Sequence, residues 1–372
     1  MDYSKPVSGK QIFKALEKER CIVMAANIRV QRSARGIMQA AKELDAVILF
    51  EIAKSEVGYT GQNAKDFYDN IVKTAEDVGF DVPYAIHGDH ITIKDTKPES
   101  YKGAEDLIKD ELAAGFTSYA IDASHNFNIN ATDVKEQLKD NIEITRKLAK
   151  LIPNKYSLEV EVGEVGRTDP ATGEKQLSTP EEASTFISAL RSDGVQPDLL
   201  ATNNGTSHGN VFDKNGNVIA KVGIDLKRTK AIADAIRPMG VRIAQHGITG
   251  TPLDFIPLLL DCGIVKGNVG TNWQNIAIDS IPLDLRKRME EWTLSSPEAA
   301  KTKAKKPNIA ENELINKNIK NSIKTFKADL ASLPDEYKKK LDEATRKSAI
   351  DFINAFNAKG TGSKVKSYIE GR

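Results

Sequence analysis

Histidines and carboxylates stand where several short apolar runs of this chain end. The 372-residue chain has only five histidines. The segment His87-Gly88-Asp89-His90 closes one run, and His208 and His246 each follow a later run. Three histidines from three strand ends, with carboxylates nearby, form the ligand set of a catalytic zinc with an open position. Taken singly, each histidine is more readily explained as a hydrogen-bonded structural residue, so the metal prediction depends on the fold.

Glycine-rich turns accompany two of these histidines. They are His208-Gly209 and the segment 246–250, where Gly247 and Gly250 flank Ile248 and Thr249. Backbone amides in such turns can approach an anion closely, and Thr249 and Thr271 add hydroxyl groups. Loops after the last two strands of a barrel commonly hold phosphate. Tight turns that bind nothing are the alternative explanation.

Eight apolar runs alternate with longer amphipathic segments, and this order predicts the elements that position these residues. The runs span residues 21–27, 46–53, 83–90, 118–122, 156–163, 198–205, 242–247 and 263–270. Helices are expected between them, among others over 64–78, 103–114, 134–151, 180–190, 225–236 and 252–260. About eight βα units over ~250 residues predict an α/β fold, a closed (β/α)8 TIM barrel. An open doubly wound sheet competes, but the first run lacks the glycine-rich phosphate turn that usually marks it.

The barrel pattern ends near residue 290. We therefore predict a barrel domain over 1–290 and a Lys-rich helical C-terminal extension over 291–372, packing on the barrel or on a partner subunit. Helices are expected over 313–331 and 335–358, and a flexible end at Gly360. Residues 299–307 fit a linker or an exposed helix, and the lysines fit a solvated helical face.

Composition excludes several classes of protein. Lys and Arg total 53 against 52 Asp and Glu, a net charge of +1, so nucleic acid is not an expected partner. No run approaches the ~18 apolar residues of a membrane span, and the N-terminus lacks the apolar stretch of a signal peptide. We expect a cytoplasmic protein without a membrane partner.

The chain resembles the class II fructose-bisphosphate aldolase family over roughly residues 12–288. The resemblance rests on five motifs in the family's order, each at a predicted strand end: His87–His90, Gly115–His125, Leu158–Gly163, Gly205–Gly209 and Gln245–Gly250. Any one of these motifs alone would be weak, whereas all five together are specific.

The resemblance implies a metal site and a catalytic base. It assigns zinc, or another divalent metal, to His90, His208 and His246, with a monovalent cation as an additional candidate. Glu161 matches an acidic residue near or on the metal, and Asp122 matches a second, buried ion position.

The remaining site residues also follow from the resemblance. Asp89 matches the acid/base aspartate that handles the C4 hydroxyl proton, and Asp169 stands at the position of a second acid/base, with Glu164 as a rival. The predicted phosphate and substrate contacts are Asn27, Ser55, Gly209, Gly247, Thr249, Asn268, Gly270 and Thr271.

The implied reaction is the reversible retro-aldol cleavage of a phosphorylated ketose, best fructose 1,6-bisphosphate, to dihydroxyacetone phosphate and glyceraldehyde 3-phosphate. The cleavage leaves an enediolate that a Lewis acid stabilises. Because zinc needs neutral histidines, activity should fall in acid. The resemblance also suggests a homodimer or higher homo-oligomer.

Departures from the family pattern keep alternatives open. The family's usual Asn-x-Asp-Thr-Asp after the last strand is Asn268-Val-Gly270-Thr-Asn272 here, so a tagatose-bisphosphate-like or other sugar-phosphate aldolase is an alternative. A barrel metallohydrolase is another, although Ala25-Ala26-Asn27 lacks the His-x-His that many of those enzymes need. The last is a non-catalytic barrel that serves as a scaffold.

Overall fold

A computed structural model describes residues 3–163, 176–206, 210–213, 218–219 and 223–371. Eight parallel strands close into a barrel in the order β1-β10-β9-β6-β5-β4-β3-β2. The barrel strands are β1 (Val23–Asn27), β2 (Ile48–Ala53), β3 (Tyr84–Thr92), β4 (Ser118–Asp122), β5 (Ser157–Val162), β6 (Leu199–Thr202), β9 (Arg242–Gln245) and β10 (Ile264–Val269). Each predicted run holds one of them, which confirms the predicted barrel. Two short strands, β7 (Val211–Phe212) and β8 (Val218–Ile219), pair antiparallel outside it.

Helices follow the barrel strands and continue to the C-terminus. Those before β7 are α1 (Gly9–Ala15), α2 (Ser33–Glu43), α3 (Lys54–Thr60), α4 (Ala64–Val78), α5 (Pro98–Ala114), α6 (Val134–Ala149) and α7 (Pro180–Ser192). Those after β8 are α8 (Leu226–Ile236), α9 (Ile256–Asp261), α10 (Thr271–Ser280), α11 (Leu283–Ser295), α12 (Pro297–Lys305), α13 (Glu311–Asn318), α14 (Lys327–Ala331), α15 (Asp335–Ala355) and α16 (Thr361–Glu370), with 3-10 turns at Arg237–Met239 and Ile319–Ser322. Among the described residues, none of these helices is both long and apolar enough to cross a bilayer.

The barrel interior changes from apolar to polar along the strands. In β2, Ile48, Phe50 and Ile52 belong to the large buried cluster beneath the helices, whereas Leu49 belongs to the cluster inside the barrel. Because side chains alternate along a strand, Glu51 also points inward, two residues nearer the C-terminal end than Leu49. This change places ionisable groups at the end where barrels carry their active sites.

The C-terminal helix α15 packs on the barrel. It lies against α2 and α10, and Phe352 and Ile353 belong to the same buried cluster as β1 and β2 side chains. The N–H of Ile22 donates to the carbonyl of Phe356 at 2.9 Å. The partition into residues 1–290 and 291–372 stays a prediction, and these contacts make α15 part of the barrel's outer layer.

Local signals at helix ends have mixed outcomes. The hydroxyl of Thr179 accepts from the N–H of Glu182 and the Glu182 carboxylate accepts in return, a capping box that starts α7. The helix expected over 313–331 is wrong, because the chain there forms α13, a 3-10 turn and α14. The flexible end expected at Gly360 is also wrong, since Gly360 adopts a φ of 76° and begins α16.

Candidate active site and metal centre

Asp89 and His90 are consecutive residues of β3, yet both side chains line one pocket at the barrel mouth. Neighbouring side chains of a regular strand point to opposite faces. Here the register of β3 against β4 shifts between Gly88 and Ile91, and His90 has a φ of 42°. The bulge and the left-handed backbone turn both side chains toward the same opening.

His90 and His246 bring two ring nitrogens face to face. Nε2 of His90 lies 2.6 Å from Nδ1 of His246, and the ring planes stand at 87° to each other. Two lone pairs at this distance repel unless a cation, a proton or a metal ion, shares them. At this distance one ring can donate an N–H to the other, and a metal ion bound by both nitrogens would replace that proton.

A carboxylate holds the outer nitrogen of each ring. Nε2 of His246 lies 2.6 Å from Oε1 of Glu159. Nδ1 of His90 lies 3.1 Å from Oε2 of Glu161 and 3.4 Å from Oδ2 of Asp122. A carboxylate in this position keeps the ring proton on the outer nitrogen and leaves the inner lone pair for a metal, as in most protein histidine ligands.

The electrostatics of the site also fit a metal ion. Burial would lower the pKa of His90, but the charges of Glu161 and Asp89 raise it well above its ordinary value. Burial, and the charge of Asp122, raise the pKa of Glu161. The raised pKa favours a proton on His90 in the metal-free protein, and a divalent ion would compete with that proton. The ligating atoms of Asp89, His90 and His246 all lie within 4.8 Å of one another, as do those of His90, Asp122 and Glu161.

Two amide side chains hold the carboxylate of Asp89. Asn27 donates from Nδ2 to Oδ2 at 3.0 Å, and Asn268 donates from Nδ2 to Oδ1 at 3.1 Å. Burial would raise the pKa of Asp89, but the positive charges of His90 and Lys266 bring it below its ordinary range. Asp89 is therefore an ionised carboxylate that can accept a proton from a hydroxyl group in the pocket.

The N-terminus of α10 forms another part of the pocket wall. Thr271 begins this ten-residue helix, and the N–H of Asn272 donates to Oγ1 of Thr249 at 3.3 Å. Gly247, with a φ of 69°, brings its backbone to the same wall, and Gly247, Thr249 and Thr271 line the pocket. The positive end of the helix dipole favours an anion at such a position.

Arg29 brings a cation to the same wall. Its Nε lies 2.7 Å from Oε1 of Glu56, and its Nη1 donates to Oγ1 of Thr271 at 3.2 Å and to Oε1 of Gln274 at 2.8 Å. A Cβ at Gly270 would lie only 3.2 Å from Nη2 of Arg29. Gly270, which stands where the usual family segment has an acidic residue, thus makes room for the side chains of both Asn27 and Arg29.

Lys320 brings a second cation from the C-terminal part of the chain. It belongs to the 3-10 turn Ile319–Ser322 and lines the pocket. Its Nζ lies 5.3 Å from the centroid of the Tyr59 ring. Burial, and then the charge of Arg29, lower the pKa of Lys320. A segment that the sequence placed outside the barrel domain therefore reaches the candidate site.

The structure brings most of the predicted site residues together. The pocket has a volume of about 370 Å³. The predicted residues that line it are Asn27, Ser55, Asp89, His90, Asp122, His246, Gly247, Thr249, Asn268, Gly270 and Thr271. Glu161 contacts His90. The predicted residues His208, Gly209 and Asp169, and the rival Glu164, lie outside the described residues.

Sequence reasoning missed several charged residues. Glu51 and Lys266 are single charges inside apolar strand runs, a signal of buried ion pairing that could have singled them out. The alternation along β5 puts Glu159 on the same face as Glu161, but its contact with His246 could not be foreseen from the sequence. Arg29 and Lys320 carry no local signal, because their position depends on distant parts of the chain.

The backbone at His90 allows a stability test. In the metal-free protein we expect the free energy of unfolding of the His90→Gly variant to be ~0.5–1 kcal/mol higher than that of the His90→Ala variant, because glycine adopts a positive φ without strain. Both variants lack the imidazole, so they lose the same contacts. Denaturant unfolding in the presence of a chelator measures the difference. An alanine variant as stable as the glycine variant would contradict the strained backbone.

Comparisons with known sequences identify the family of this chain. The sequence model described as "Fructose-bisphosphate aldolase class-II" matches residues 7–360. The fructose-bisphosphate aldolase of Streptococcus pneumoniae serotype 4 is 29% identical over 272 residues, which cover 72% of this chain and 80% of that protein. The fructose-bisphosphate aldolase of Helicobacter pylori 26695 is 27% identical over 274 residues, covering 72% and 77%.

Solved structures share the fold. A fructose-bisphosphate aldolase from Campylobacter jejuni superimposes with a TM-score of 0.61 at 18% identity, covering 96% of each chain. The YdjI aldolase from Escherichia coli K12 gives 0.59 at 19% identity, covering 95% of this chain and 97% of that one. Because the family match runs through almost the whole sequence, the chain belongs to the class II fructose-bisphosphate aldolase family.

Proposed function

We propose that this protein is a metal-dependent aldolase that reversibly cleaves a phosphorylated ketose, with fructose 1,6-bisphosphate as the best single substrate. The products would be dihydroxyacetone phosphate and glyceraldehyde 3-phosphate. The observation that carries the proposal is the facing pair of inner nitrogens of His90 and His246, 2.6 Å apart, beside the carboxylate of Asp89 in one pocket. The family is generally metal-dependent.

Zinc is the proposed metal, and another divalent ion is the alternative. His90 and His246 would hold it through their inner nitrogens, with His208 as the third ligand that the sequence predicts. When bound, the ion supplies a Lewis acid that stabilises negative charge at the reacting oxygens. Glu159 and Glu161 keep the two rings in the orientation that this role needs.

Asp89 is the proposed base for cleavage. It takes the proton of the C4 hydroxyl, the C4–O bond becomes a carbonyl, and the C3–C4 bond breaks with its electron pair left at C3. Asn27 and Asn268 hold the carboxylate in one orientation through this transfer. A second acid returns a proton to C3, and we propose Asp169 for this role, with Glu164 as the alternative.

The substrate phosphate next to the ketone is proposed to bind at the N-terminus of α10. Gly247, Thr249 and Thr271 line this part of the pocket, and the sequence adds Gly209. Backbone amides and hydroxyls there can hold a phosphate without a basic surface. Asn268 is placed to contact a substrate hydroxyl as well as Asp89. Asn27 and Ser55 also line the pocket.

A second candidate is an aldolase for a different phosphorylated ketose, such as tagatose 1,6-bisphosphate. The observation that favours it is the pocket wall at Gly270, where the side chain of Arg29 lies close to the glycine. Asn272 stands two residues later in the chain. Both acids of the usual family segment are missing there.

The release of dihydroxyacetone phosphate from each of the two bisphosphates tests both candidates. We expect cleavage that stops with a chelator and returns when zinc is added. The ratio of kcat/KM for the two epimers decides between the substrates. Purified protein that holds no divalent metal and cleaves neither sugar would favour the non-catalytic scaffold and overturn the proposal.

Lys320 lines the pocket, and we predict that it contacts the second phosphate of a ketose bisphosphate. Lys320→Gln should raise KM for a ketose bisphosphate about tenfold, an effect of ~1.4 kcal/mol, and change kcat little. Cleavage of the corresponding 1-phosphate should be nearly unaffected, because it lacks the second charged group. Lys324→Gln is the matched control, an exposed lysine of the same segment that does not line the pocket. Equal KM changes in the two variants would refute the contact.

The homodimer or higher homo-oligomer and the cytoplasmic location stay predictions. Light scattering of the purified full chain gives the mass in solution and tests the first of them.

A further inference from the structure

Lys266 is a fully buried lysine in the middle of the barrel. It belongs to β10 and has 0% of its surface exposed. Burying an ammonium group is costly unless the group is paired. Its Nζ lies 2.9 Å from Oε2 of Glu159 and 3.2 Å from Oε2 of Glu51. Burial would lower the pKa of Lys266, but Glu159 and Glu51 raise it, so the lysine stays charged.

The two glutamates that contact Lys266 differ in what else they contact. Oε1 of Glu159 lies 2.6 Å from Nε2 of His246. Glu51 has no such contact with a histidine of the metal site, and its closest histidine approach among the described residues is 4.0 Å, to Nε2 of His87. Burial, and then the charge of Asp89, raise the pKa of Glu51 well above its ordinary value. Lys266, Glu159 and His246 therefore form one connected line, and Glu51 stands beside it.

The connected residues Lys266, Glu159 and His246 end at Nδ1 of His246, the atom that faces the proposed metal position. Lys266 forms an ion pair with one oxygen of the Glu159 carboxylate, and the other oxygen lies 2.6 Å from Nε2 of His246. The proton of His246 is thereby kept on Nε2, and Nδ1 faces His90 at 2.6 Å. A carboxylate that accepts from the outer nitrogen also makes the ring a more basic ligand.

We infer that Lys266 is a positioning residue for the metal site, which acts through Glu159 to fix the orientation of His246 and so strengthens the binding of a divalent metal. This inference rests on the proposed function. Removal of partners behind a metal ligand typically lowers metal affinity 10–100-fold.

The test measures metal affinity in the full chain, without any substrate. Metal-free protein is titrated with Zn²⁺ against a competing chelator, and with Co²⁺, whose visible spectrum reports the ligand geometry. We expect Lys266→Met and Glu159→Gln each to bind Zn²⁺ about 10–100-fold more weakly than the wild type, with an altered Co²⁺ spectrum. Glu51→Gln is the matched control, because it loses a contact to the same lysine, and it should stay within about threefold.

A double variant separates positioning from general damage to the core. Lys266 is proposed to act only through the contact between Glu159 and His246. The double variant, Lys266→Met together with Glu159→Gln, should therefore bind Zn²⁺ as tightly as Glu159→Gln alone does. This variant also removes the buried opposite charges together, so it serves if Lys266→Met alone does not fold. A further loss of more than about threefold in the double variant, or affinities of Lys266→Met equal to the wild type, would overturn the inference. Wild-type protein that binds no divalent metal would instead overturn the proposed function, and this inference with it.

Discussion

Replacement of Asp89 by alanine is expected to lower kcat by about 10²–10⁴-fold, the usual cost of losing a general acid or base. The metal content should stay close to that of the wild type, because His90 and His246 keep their contacts with Glu161 and Glu159. Since the low pKa of Asp89 keeps it ionised, the wild-type carboxylate is ready to take the C4 hydroxyl proton. Steady-state rates and metal analysis of the same samples measure the two quantities.

Asp89→Asn is the matched control for shape. It keeps the volume of the side chain but cannot take up the hydroxyl proton, so we expect a loss of the same order as in the alanine variant. An asparagine variant that keeps most of the activity would show that Asp89 fills space between Asn27 and Asn268. Loss of metal from either variant would show instead that Asp89 belongs to the metal site.

The barrel could be predicted because its signals are local. A parallel strand buried on both faces must be apolar along its whole length, and β4 over Ser118–Asp122 has the predicted bounds. In the C-terminal region the 21-residue α15 follows from its sequence pattern, whereas the shorter helices before it give weaker signals. The predicted continuous helix over 313–331 is instead three short elements, which bury Leu314, Ile319 and Leu330.

In the candidate site, too, residues with local sequence signals could be predicted and residues that depend on distant parts of the chain could not. His90, His246 and Asp89 follow from their places at strand ends, and the structure puts them in one pocket. The contact of Glu159 with His246 depends on the barrel's closure, which joins strands far apart in the sequence. Lys320 reaches the pocket only because the C-terminal segment folds back over α3, and residue types and spacing say nothing about such a return.

Replacement of His246 by alanine is expected to remove metal and activity together. The variant loses one of two described imidazole nitrogens that face each other, and Glu159 loses the ring that it holds. We expect Zn²⁺ affinity to fall on the order of 10³-fold, since a zinc site with one nitrogen fewer keeps only part of its binding free energy. The same result is expected for His208→Ala, from the sequence prediction of a third ligand.

His125→Ala is the matched control, because His125 lines the same pocket and was not assigned to the metal. It should keep its zinc, which metal analysis after exhaustive dialysis and a chelator titration would show. Excess zinc should restore part of the activity in a weakened site, and restore none if the imidazole of His246 acts on the substrate itself. If His246→Ala keeps its metal, or if His125→Ala loses its metal as readily, the facing nitrogens of His90 and His246 are not the metal site. The proposal of a metal-dependent aldolase would then lose the observation that carries it.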